Sequence, residues 1–240
     1  MSYKDKFYSK YVSSHTQNLY GSASLAAMRS QFRILDSYYG KFLPKDRNAK
    51  LLDLGCGNGG FVYWLLNSGF EDAGGIDISE EQVKEARNLG IKNILGGDFR
   101  KFLKNKKSEY DLISARDILE HFTKEEVIDI LDLIYGALKS GGVFIAQTAN
   151  AENILWGRLR HGDFTHDSAF TKESMKQLLT LTGFREAHIY PQRPVAHGPI
   201  SSVRFIFWKI FELLLRFYLL VETGEAKGIF TQNILVMAKK

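Results

Sequence analysis

Two short stretches of the sequence place carboxylates next to histidines at spacings that could serve proton transfer. In the first, Asp117, Glu120 and His121 stand at positions i, i+3 and i+4, which would put them on one side of a helical turn. The second is GDFTHD, residues 162–167, whose histidine is His166. Histidine titrates near neutral pH, so it is a common general base, and the same residue types also bind metal ions. The sequence predicts His121 as the leading proton acceptor and His166 as the second, with Glu120 beside them.

A run of glycines follows an apolar segment in LLDLGCGNGG, residues 51–60. Gly55, Gly57 and Gly60 fit the dinucleotide-binding spacing G-x-G-x-x-G. Asp53 with three alternate glycines also fits a nucleoside-binding spacing, D-x-G-x-G-x-G. Either loop would lie between a strand and a helix and would expose backbone N–H groups to a ligand. The glycines alone do not distinguish the two spacings.

Acidic residues end the next two predicted strands. Asp77 in GGIDIS would hold the ribose hydroxyls of a nucleotide under either spacing. Asp98 in GGDF could accept a hydrogen bond from an adenine amino group, with Phe99 packing on the ring. A dehydrogenase would usually need a second domain for its substrate, and little of the chain remains to build one. The sequence therefore favours the nucleoside-binding spacing.

Short apolar runs alternate with helical patterns and predict the elements that position these residues. Strands are predicted at KLLDLGC, AGGIDI, NILGGD, YDLISAR, GGVFIAQTAN, REAHIYPQ and QNILVMAKK. The alternation implies right-handed βαβ units, which build a parallel sheet with helices on both faces. The predicted fold class is therefore α/β. The candidate site residues lie at the carboxyl ends of predicted strands. In such a sheet, ligands bind at the carboxyl ends of the strands.

The composition is that of an ordinary globular chain. Its 240 residues are 45% hydrophobic and 25% charged, and the net charge of +5 falls well short of a nucleic-acid-binding signature. The single cysteine, Cys56, fits a reducing compartment, and the polar N-terminus does not resemble a secretory signal. We therefore expect a cytoplasmic protein with no nucleic-acid partner.

Four motifs in order make the chain resemble the class I S-adenosylmethionine-dependent methyltransferases. The motifs are DLGCGNG, GIDIS, GDF and ARDILEH, and the resemblance covers most of residues 45–190 plus the closing strand. It implies a methyl-transferring enzyme with S-adenosylmethionine as cofactor. It also implies a Rossmann-like sheet of seven strands, mostly parallel, whose last strand is antiparallel, a role that QNILVMAKK suits.

The resemblance also implies which residues contact the cofactor. Asp77 would hold the ribose, and Asp98 with Phe99 would hold the adenine. Ile78, which follows Asp77, would also contact the cofactor. Ala115 or Arg116 would lie beside the cofactor at the tip of the fourth strand. The residues that would line the methionine and ribose end are Asp53, Gly55, Gly57 and Gly59.

The D-x-x-E-H spacing of residues 117–121 is similar to the E-x-x-E-H of small-RNA 2′-O-methyltransferases and of quinone-biosynthesis O-methyltransferases. The acids and histidines of those enzymes bind a divalent ion, so the resemblance implies a magnesium, manganese or zinc site as an alternative to a simple base. Its ligands here would be Asp117, Glu120, His121 and His166. Asp117 stands in place of the first glutamate and has a shorter reach. An aliphatic hydroxyl needs either a base or a metal to lose its proton.

The residues after the fifth predicted strand indicate what kind of molecule accepts the methyl group. HGDFTHDSAFT followed by a helix is similar to enzymes of glycan and surface-polysaccharide biosynthesis. Aromatic and basic side chains alternate there, which suits a sugar with anionic groups nearby. These side chains are Trp156, Arg158, Arg160, His161, Phe164 and Phe170. A hydroxyl of a saccharide or lipid-linked saccharide is the predicted acceptor. The alternatives are a lipophilic phenol, such as a quinone precursor, and a non-catalytic S-adenosylmethionine-binding protein.

The chain divides into a predicted N-terminal helical lid, residues 1–44, and a class I methyltransferase domain, residues 45–240. The lid would contain helices at 4–14 and 22–42. An amphipathic helical insert is predicted at about 195–228, before the closing strand.

The core of this insert is VRFIFWKIFELLLRFYLLV, residues 203–221. Four charged residues fall on one arc of the predicted helix, and the rest of its circumference is apolar. The helix could pack on the sheet or on a second copy, as a homodimer. It could also lie in the plane of a membrane at its inner face, with basic side chains near anionic headgroups.

Overall fold

The computed structural model describes Phe7 and residues 24–240. Seven strands of this part form one sheet. They are β1 Leu51–Leu54, β2 Ala73–Asp77, β3 Ile94–Gly96, β4 Tyr110–Arg116, β5 Leu138–Ala149, β6 Glu186–Pro191 and β7 Asn233–Lys239. Their order across the sheet is β3-β2-β1-β4-β5-β7-β6.

The strand directions confirm the predicted fold class. Strands β1 to β5 pair in parallel, and β7 runs antiparallel to both β5 and β6. β1 is buried along its whole length, as expected for a central strand covered on both faces. The carboxyl ends of β1, β2 and β4 therefore meet at one edge of the sheet, and we call it the carboxyl edge.

Nine α-helices are present in the described part of the chain. They are α1 Leu25–Ser30, α2 Phe32–Tyr39, α3 Gly60–Asn67, α4 Glu80–Asn88, α5 Phe99–Leu103, α6 Lys124–Ala137, α7 Trp156–Arg160, α8 Lys172–Leu181 and α9 Pro199–Thr223. Local sequence explains several boundaries. Thr123 caps α6 in a reciprocal pair with Glu126, and Gly224 ends α9 at a φ of 77°.

The N-terminal segment differs from the prediction. The predicted helix 4–14 lies outside the described residues apart from Phe7, and the predicted helix 22–42 is divided at Gln31 into α1 and α2. Leu35 and Tyr39 of α2 are buried in the core on one face of the sheet. This part of the segment is therefore packed on the domain, and its role as a lid stays a prediction.

The two faces of the sheet are covered by different helices. On one face, α6 and α8 bury apolar side chains such as Ile130 and Leu179 against the strands. On the other face, α2 and α3 contribute a cluster of aromatic rings that includes Tyr39, Phe61 and Trp64. Together with a third, smaller cluster that includes Val62 and Val83, these cores position the strands and the loops at the carboxyl edge.

α9 does not follow this pattern, because most of its apolar side chains are exposed. Its buried residues are Ser201 and Glu212. The prediction that its apolar face could pack on the sheet is therefore wrong. No helix among the described residues is long and apolar enough to cross a membrane.

Candidate active site

The glycine loop between β1 and α3 takes the shape expected of the nucleoside-binding spacing. Gly55, Gly57 and Gly59 have φ values of 62°, 56° and 79°, a region that side chains with a Cβ rarely adopt. Gly60 is the first residue of α3 and needs no such freedom. The three alternate glycines are thus the ones that the backbone requires, which decides between the two spacings.

Asp77, at the end of β2, holds this loop in place. Its carboxylate accepts hydrogen bonds from the Gly57 N–H and the Ser79 N–H, both at 2.8 Å. Burial raises its pKa, and the two N–H donors oppose that shift. Each oxygen keeps a further lone pair that could accept a ribose hydroxyl. The exposed side chains of Ile78 and Leu95 form apolar surface beside it, and Leu95 was not predicted from the sequence.

Asp53 and Arg116 lie at the ends of the neighbouring central strands. The Ser114 hydroxyl donates to the buried Asp53 carboxylate at 2.6 Å. Burial raises the pKa of Asp53 to about 6, against the opposing effects of the Arg116 charge and this hydrogen bond. The Arg116 guanidinium lies 4.8 Å from the ring centroid of Phe61 and 5.5 Å from that of Tyr39. The charge of Arg116 is therefore held in place beside Asp53.

Asp98 and Phe99 lie where α5 begins. Asp98 accepts hydrogen bonds from the Arg100 guanidinium at 3.0 and 3.1 Å, and Arg100 also pairs with Glu126. Burial opposes these bonds, yet they hold the pKa of Asp98 below its usual value. Phe99 is buried in the main core with its ring against Phe122. Asp98 is thus already paired with a cation, and a bond from it to adenine stays a prediction.

The predicted helical turn carrying Asp117, Glu120 and His121 is wrong. Asp117 has a φ of 54° and lies before a short 3₁₀ turn, Leu119–His121, so the three residues do not form one helical turn. The Asp117 carboxylate accepts a hydrogen bond from Gln147 at 2.7 Å.

Glu120 is not among the side chains that lie close to the two histidines as possible metal ligands. It is buried and accepts a hydrogen bond from the Thr148 hydroxyl at 2.9 Å. Burial raises its pKa to about 8, and the nearby charge of Asp117 adds to the shift. Glu120 is thus largely protonated at neutral pH, which weakens its predicted role as a metal ligand.

His121 is the end of a hydrogen-bonded chain that the sequence did not predict. Its Nδ1 lies 2.8 Å from the Thr165 hydroxyl, which donates to the Asp163 carboxylate at 2.7 Å. The Thr165 N–H also donates to this carboxylate, at 2.8 Å. Because the one hydroxyl proton of Thr165 goes to Asp163, Thr165 can only accept from His121. Nδ1 therefore carries the proton, and Nε2 of the neutral ring carries the lone pair.

His166 lies next to His121 and has the same tautomer. Its Nδ1 is 2.8 Å from the Leu159 carbonyl oxygen, which can only accept, so Nδ1 carries the proton. The two imidazole rings lie 4.7 Å apart between centroids and cross at 75°. The structure thus brings together both histidines that the sequence predicted as proton acceptors.

A divalent cation would find a different set of ligands from the predicted one. In the part of the chain that the structure describes, His121, Asp163 and His166 each offer a ligand atom, all within 4.8 Å of one another. Asp117 and Glu120 are not in this group. Two neutral imidazoles and a carboxylate suit zinc or manganese, and metal-bound histidines usually have the second nitrogen hydrogen-bonded, as here. The sequence missed Asp163, although it lies three residues before His166 in GDFTHD.

A cleft of about 610 Å³ is lined in part by Asp167, the residue that follows His166, but by neither histidine. Trp156, Arg160 and Asp167 are among its lining residues. Phe164 is 75% exposed, and its ring stacks on that of Phe7 at 5.7 Å. Phe170 was predicted to face a sugar, but its side chain is buried in the main core. Trp156 and Phe164 therefore remain as aromatic contacts for an acceptor.

A buried amide connects the site to more distant segments. The Gln147 Oε1 accepts from the Tyr39 hydroxyl at 2.7 Å and from Gln192 Nε2 at 2.5 Å, while its Nε2 donates to Asp117. These contacts join α2, β5, the segment after β6 and the loop after β4.

Curated proteins with similar sequences include RNA and protein methyltransferases. A tRNA U34 carboxymethyltransferase of Vibrio parahaemolyticus is 27% identical over 155 residues, covering 60% of this chain and 47% of that protein. A protein-lysine N-methyltransferase of Saccharomyces cerevisiae is 30% identical over 125 residues, covering 43% of this chain and 52% of that protein. The chain spans about half the length of these relatives.

Solved structures share the fold. A SAM-dependent methyltransferase of Archaeoglobus fulgidus superposes with a TM-score of 0.64 at 21% identity and covers 89% of this chain and 96% of its own. A possible histamine N-methyltransferase of Thermotoga maritima has a TM-score of 0.62 at 17% identity, with 98% of both chains covered. Residues 28–189 match the model of the family described as Methyltransferase domain. The chain therefore belongs to the methyltransferase domain family, and it has the fold of S-adenosylmethionine-dependent methyltransferases.

Proposed function

We propose that this enzyme transfers the methyl group of S-adenosylmethionine to a hydroxyl of a saccharide or lipid-linked saccharide. The observation that carries the proposal is the chain from Asp163 through Thr165 to His121, which prepares a histidine to take a proton. A hydroxyl acceptor needs such a group because it does not ionise near neutral pH.

The cofactor would lie along the carboxyl edge of the sheet. Asp77 would accept from the ribose hydroxyls while it holds the glycine loop. The flat adenine ring would rest on the exposed side chains of Ile78 and Leu95. Arg116 and Asp53 would lie at the methionine end, where a carboxylate and an ammonium group need opposite charges.

The chemical step is an in-line displacement at the sulfonium methyl carbon. The acceptor oxygen forms a bond to the methyl group as the carbon–sulfur bond breaks, and the electron pair of that bond stays on sulfur. The products are S-adenosylhomocysteine and a methyl ether. The hydroxyl proton goes to Nε2 of His121, and the resulting imidazolium keeps its Nδ1 proton on Thr165. His166 would be the second proton acceptor.

A divalent ion is the alternative use of the same side chains. Held by His121, Asp163 and His166, it would bind the acceptor hydroxyl and lower the pKa of that group. The two roles are exclusive for His121, because a nitrogen bound to a cation cannot take a proton. Dialysis against a chelator separates them. Loss of activity, with recovery in magnesium, manganese or zinc, would assign the metal role, whereas undiminished activity would assign the base.

The cleft that Asp167 lines supports a saccharide as the acceptor. Trp156 could pack on the apolar face of a sugar ring, and Arg160 and Asp167 could pair with its polar groups. A lipophilic phenol would need a base less, because its hydroxyl already has a pKa near 10. The relatives named above act, by their names, on tRNA and protein lysine. RNA and protein are therefore tested as acceptors beside glycans.

The experiment measures transfer of a labelled methyl group to separate pools of lipid-linked saccharide, phenolic lipid, RNA and protein. We expect label in the saccharide pool, as an ether stable to mild base. Label in RNA, protein or phenol would overturn the proposed acceptor. Calorimetry is run in parallel and should show micromolar binding of S-adenosylmethionine, a typical value for a cofactor. Binding without transfer to any pool would favour the non-catalytic alternative.

A further inference from the structure

One side of α9 is apolar along the whole helix and faces outward. The twelve large side chains on it are between 47% and 80% exposed, and we call them the outer face. They are Ile200, Val203, Ile206, Phe207, Ile210, Phe211, Leu213, Leu214, Phe217, Tyr218, Leu220 and Val221. At about 100° per residue they occupy roughly half of the helix circumference, an arc that contains no charged residue.

The outer face is larger than the apolar patches of ordinary monomers. Four of the twelve side chains are aromatic, and aromatic side chains have roughly 150–250 Å² of surface each. These four alone present on the order of 400 Å², and the eight exposed aliphatic side chains add to that area. The largest apolar patch on a typical monomer is roughly 300–600 Å². A surface of this size and composition requires a partner.

Contacts on the opposite side of α9 keep the outer face turned away from the domain. Glu212 is buried and pairs with Arg193, Lys209 and Arg216 at 3.3, 2.9 and 3.0 Å. Arg216 also donates to the Ala226 carbonyl at 2.7 Å. The orientation of the helix is therefore set by its polar side.

The width of the outer face indicates whether its partner is a bilayer or a second protein helix. A helix packed on another helix buries a stripe of about 100°, so pairing through α9 would leave large side chains on both flanks in water. A helix lying in a membrane interface buries its whole apolar half. Arg204 stands at one border of the outer face, on the same side of the helix as Glu222, and Lys209 stands at the other border, paired with Glu212. From such positions basic side chains can reach lipid headgroups. The net charge of +5 favours an anionic surface.

The connections of α9 place it at the carboxyl edge. It lies between the end of β6 and the start of β7, and Pro191 pairs with Ile234 at that edge. Ile154 and Leu155, in the loop after β5, are further exposed apolar residues at the same edge. A surface that receives α9 would therefore lie near the loops that carry His121 and His166.

We propose that the outer face of α9 docks this enzyme on an anionic lipid bilayer, with the helix in the plane of the interface. The docking does not depend on the chemistry of the acceptor, but it would bring a lipid-linked acceptor to the carboxyl edge. It can therefore fail or hold independently of the proposed methyl transfer.

The test is co-sedimentation with vesicles of phosphatidylcholine alone and of phosphatidylcholine with phosphatidylglycerol. We expect the full chain to pellet with the anionic vesicles and to bind the neutral ones more weakly. The double variant Phe207→Glu/Leu214→Glu should lose binding at least about tenfold, because two charges would enter the apolar interface. Arg204→Gln should lower only the preference for anionic vesicles, by about fivefold.

Two controls keep the result interpretable. Asn88→Glu/Thr180→Glu adds the same two charges at exposed positions of α4 and α8 and should pellet like the wild type. Calorimetry with S-adenosylmethionine should give the same affinity for all variants, which shows that they are folded. Wild type that stays in the supernatant with both vesicles overturns the proposal. So does a wild-type dimer that Phe207→Glu/Leu214→Glu converts to monomer in sedimentation velocity, since the outer face would then join two copies.

Discussion

The glycine loop lies between β1 and α3, and residues 162–167 form a second loop, which we call the histidine loop. Each is organised by its own carboxylate, which accepts two hydrogen bonds. Asp77 accepts from the backbone N–H groups of Gly57 and Ser79. Asp163 accepts from the backbone N–H and the hydroxyl of Thr165. The first arrangement fixes the path of the main chain, and the second fixes a side-chain hydroxyl that in turn orients His121.

This difference indicates that the two carboxylates act on different steps. A change at Asp77 alters the shape of the proposed cofactor loop and should appear in cofactor affinity. A change along the chain from Asp163 alters the proposed proton acceptor and should appear in turnover. Substitutions in the two loops therefore test whether binding and chemistry are separable in this enzyme.

The largest effect is expected from the two histidines. His121→Ala or His166→Ala should lower kcat by roughly 10²–10⁴-fold, the usual range for a positioned proton acceptor. The affinity for S-adenosylmethionine, measured by calorimetry, should change little. If both variants keep full turnover on the true acceptor, neither histidine is the base or a metal ligand.

Thr165 should show whether the orientation of His121 matters. Thr165→Val keeps the shape of this buried residue but removes the hydroxyl, so Nδ1 of His121 loses its partner. We expect kcat to fall about 10- to 100-fold, because the wrong tautomer of the ring becomes accessible. Thr165→Ser retains the hydroxyl and is the matched control, with turnover within about threefold of wild type. Equal losses of kcat in both variants would mean that turnover depends on the packing of Thr165 and not on its hydroxyl.

Asp77→Asn should give the opposite pattern. The new amide would turn an N–H group toward a backbone donor of Gly57 or Ser79 and would lose the charge that faces the ribose. The Kd for S-adenosylmethionine should rise about tenfold or more, equivalent to about 1.4 kcal/mol. Turnover at saturating cofactor should stay close to wild type. A large fall in kcat with unchanged Kd would contradict the view that the glycine loop acts on cofactor binding and the histidine loop on turnover.

Substitution of Glu120 should change the stability of the protein more than it changes cofactor binding or methyl transfer. Its pKa is raised from 4.5 to about 8, so between these values the folded protein holds a proton that the unfolded chain releases. The free energy of unfolding therefore falls as the pH rises through this window.

Glu120→Gln stays neutral and should remove that slope, a difference on the order of 1–3 kcal/mol at pH 8. Urea unfolding at several pH values between 5 and 8 measures it, with the exposed Glu125→Gln as control. Parallel curves for Glu120→Gln and wild type would show that Glu120 is ionised in the folded state.

The sequence allowed the fold and the cofactor edge to be predicted because both depend on local patterns. Gly55, Gly57 and Gly59 reveal a loop with positive φ by their spacing alone, and Asp77 follows its strand directly. The seven strands could be located from apolar runs, and the antiparallel closing strand from the family resemblance. Predictions of this kind need no knowledge of contacts between distant segments.

The acceptor side could be predicted only in part, because its geometry depends on contacts between distant segments. Thr165 reaches His121 across 44 positions in the chain, and no pattern in either stretch indicates that contact. Asp117 was misplaced because its left-handed φ breaks the helical turn on which the spacing argument rested. The amphipathic pattern of α9 was visible in the sequence, but nothing in it indicated that the apolar side would be left exposed.

The buried amide of Gln147 makes one side chain sensitive to several parts of the molecule. Because the Asp117 carboxylate can only accept, the orientation of the amide is fixed, and its oxygen must face Tyr39 and Gln192. Its two amide protons should therefore give distinct NMR signals. Movement of α2, of the segment leading into α9, or of the loop after β4 should shift them, so a single ¹⁵N-labelled side chain would serve as a spectroscopic probe of all three.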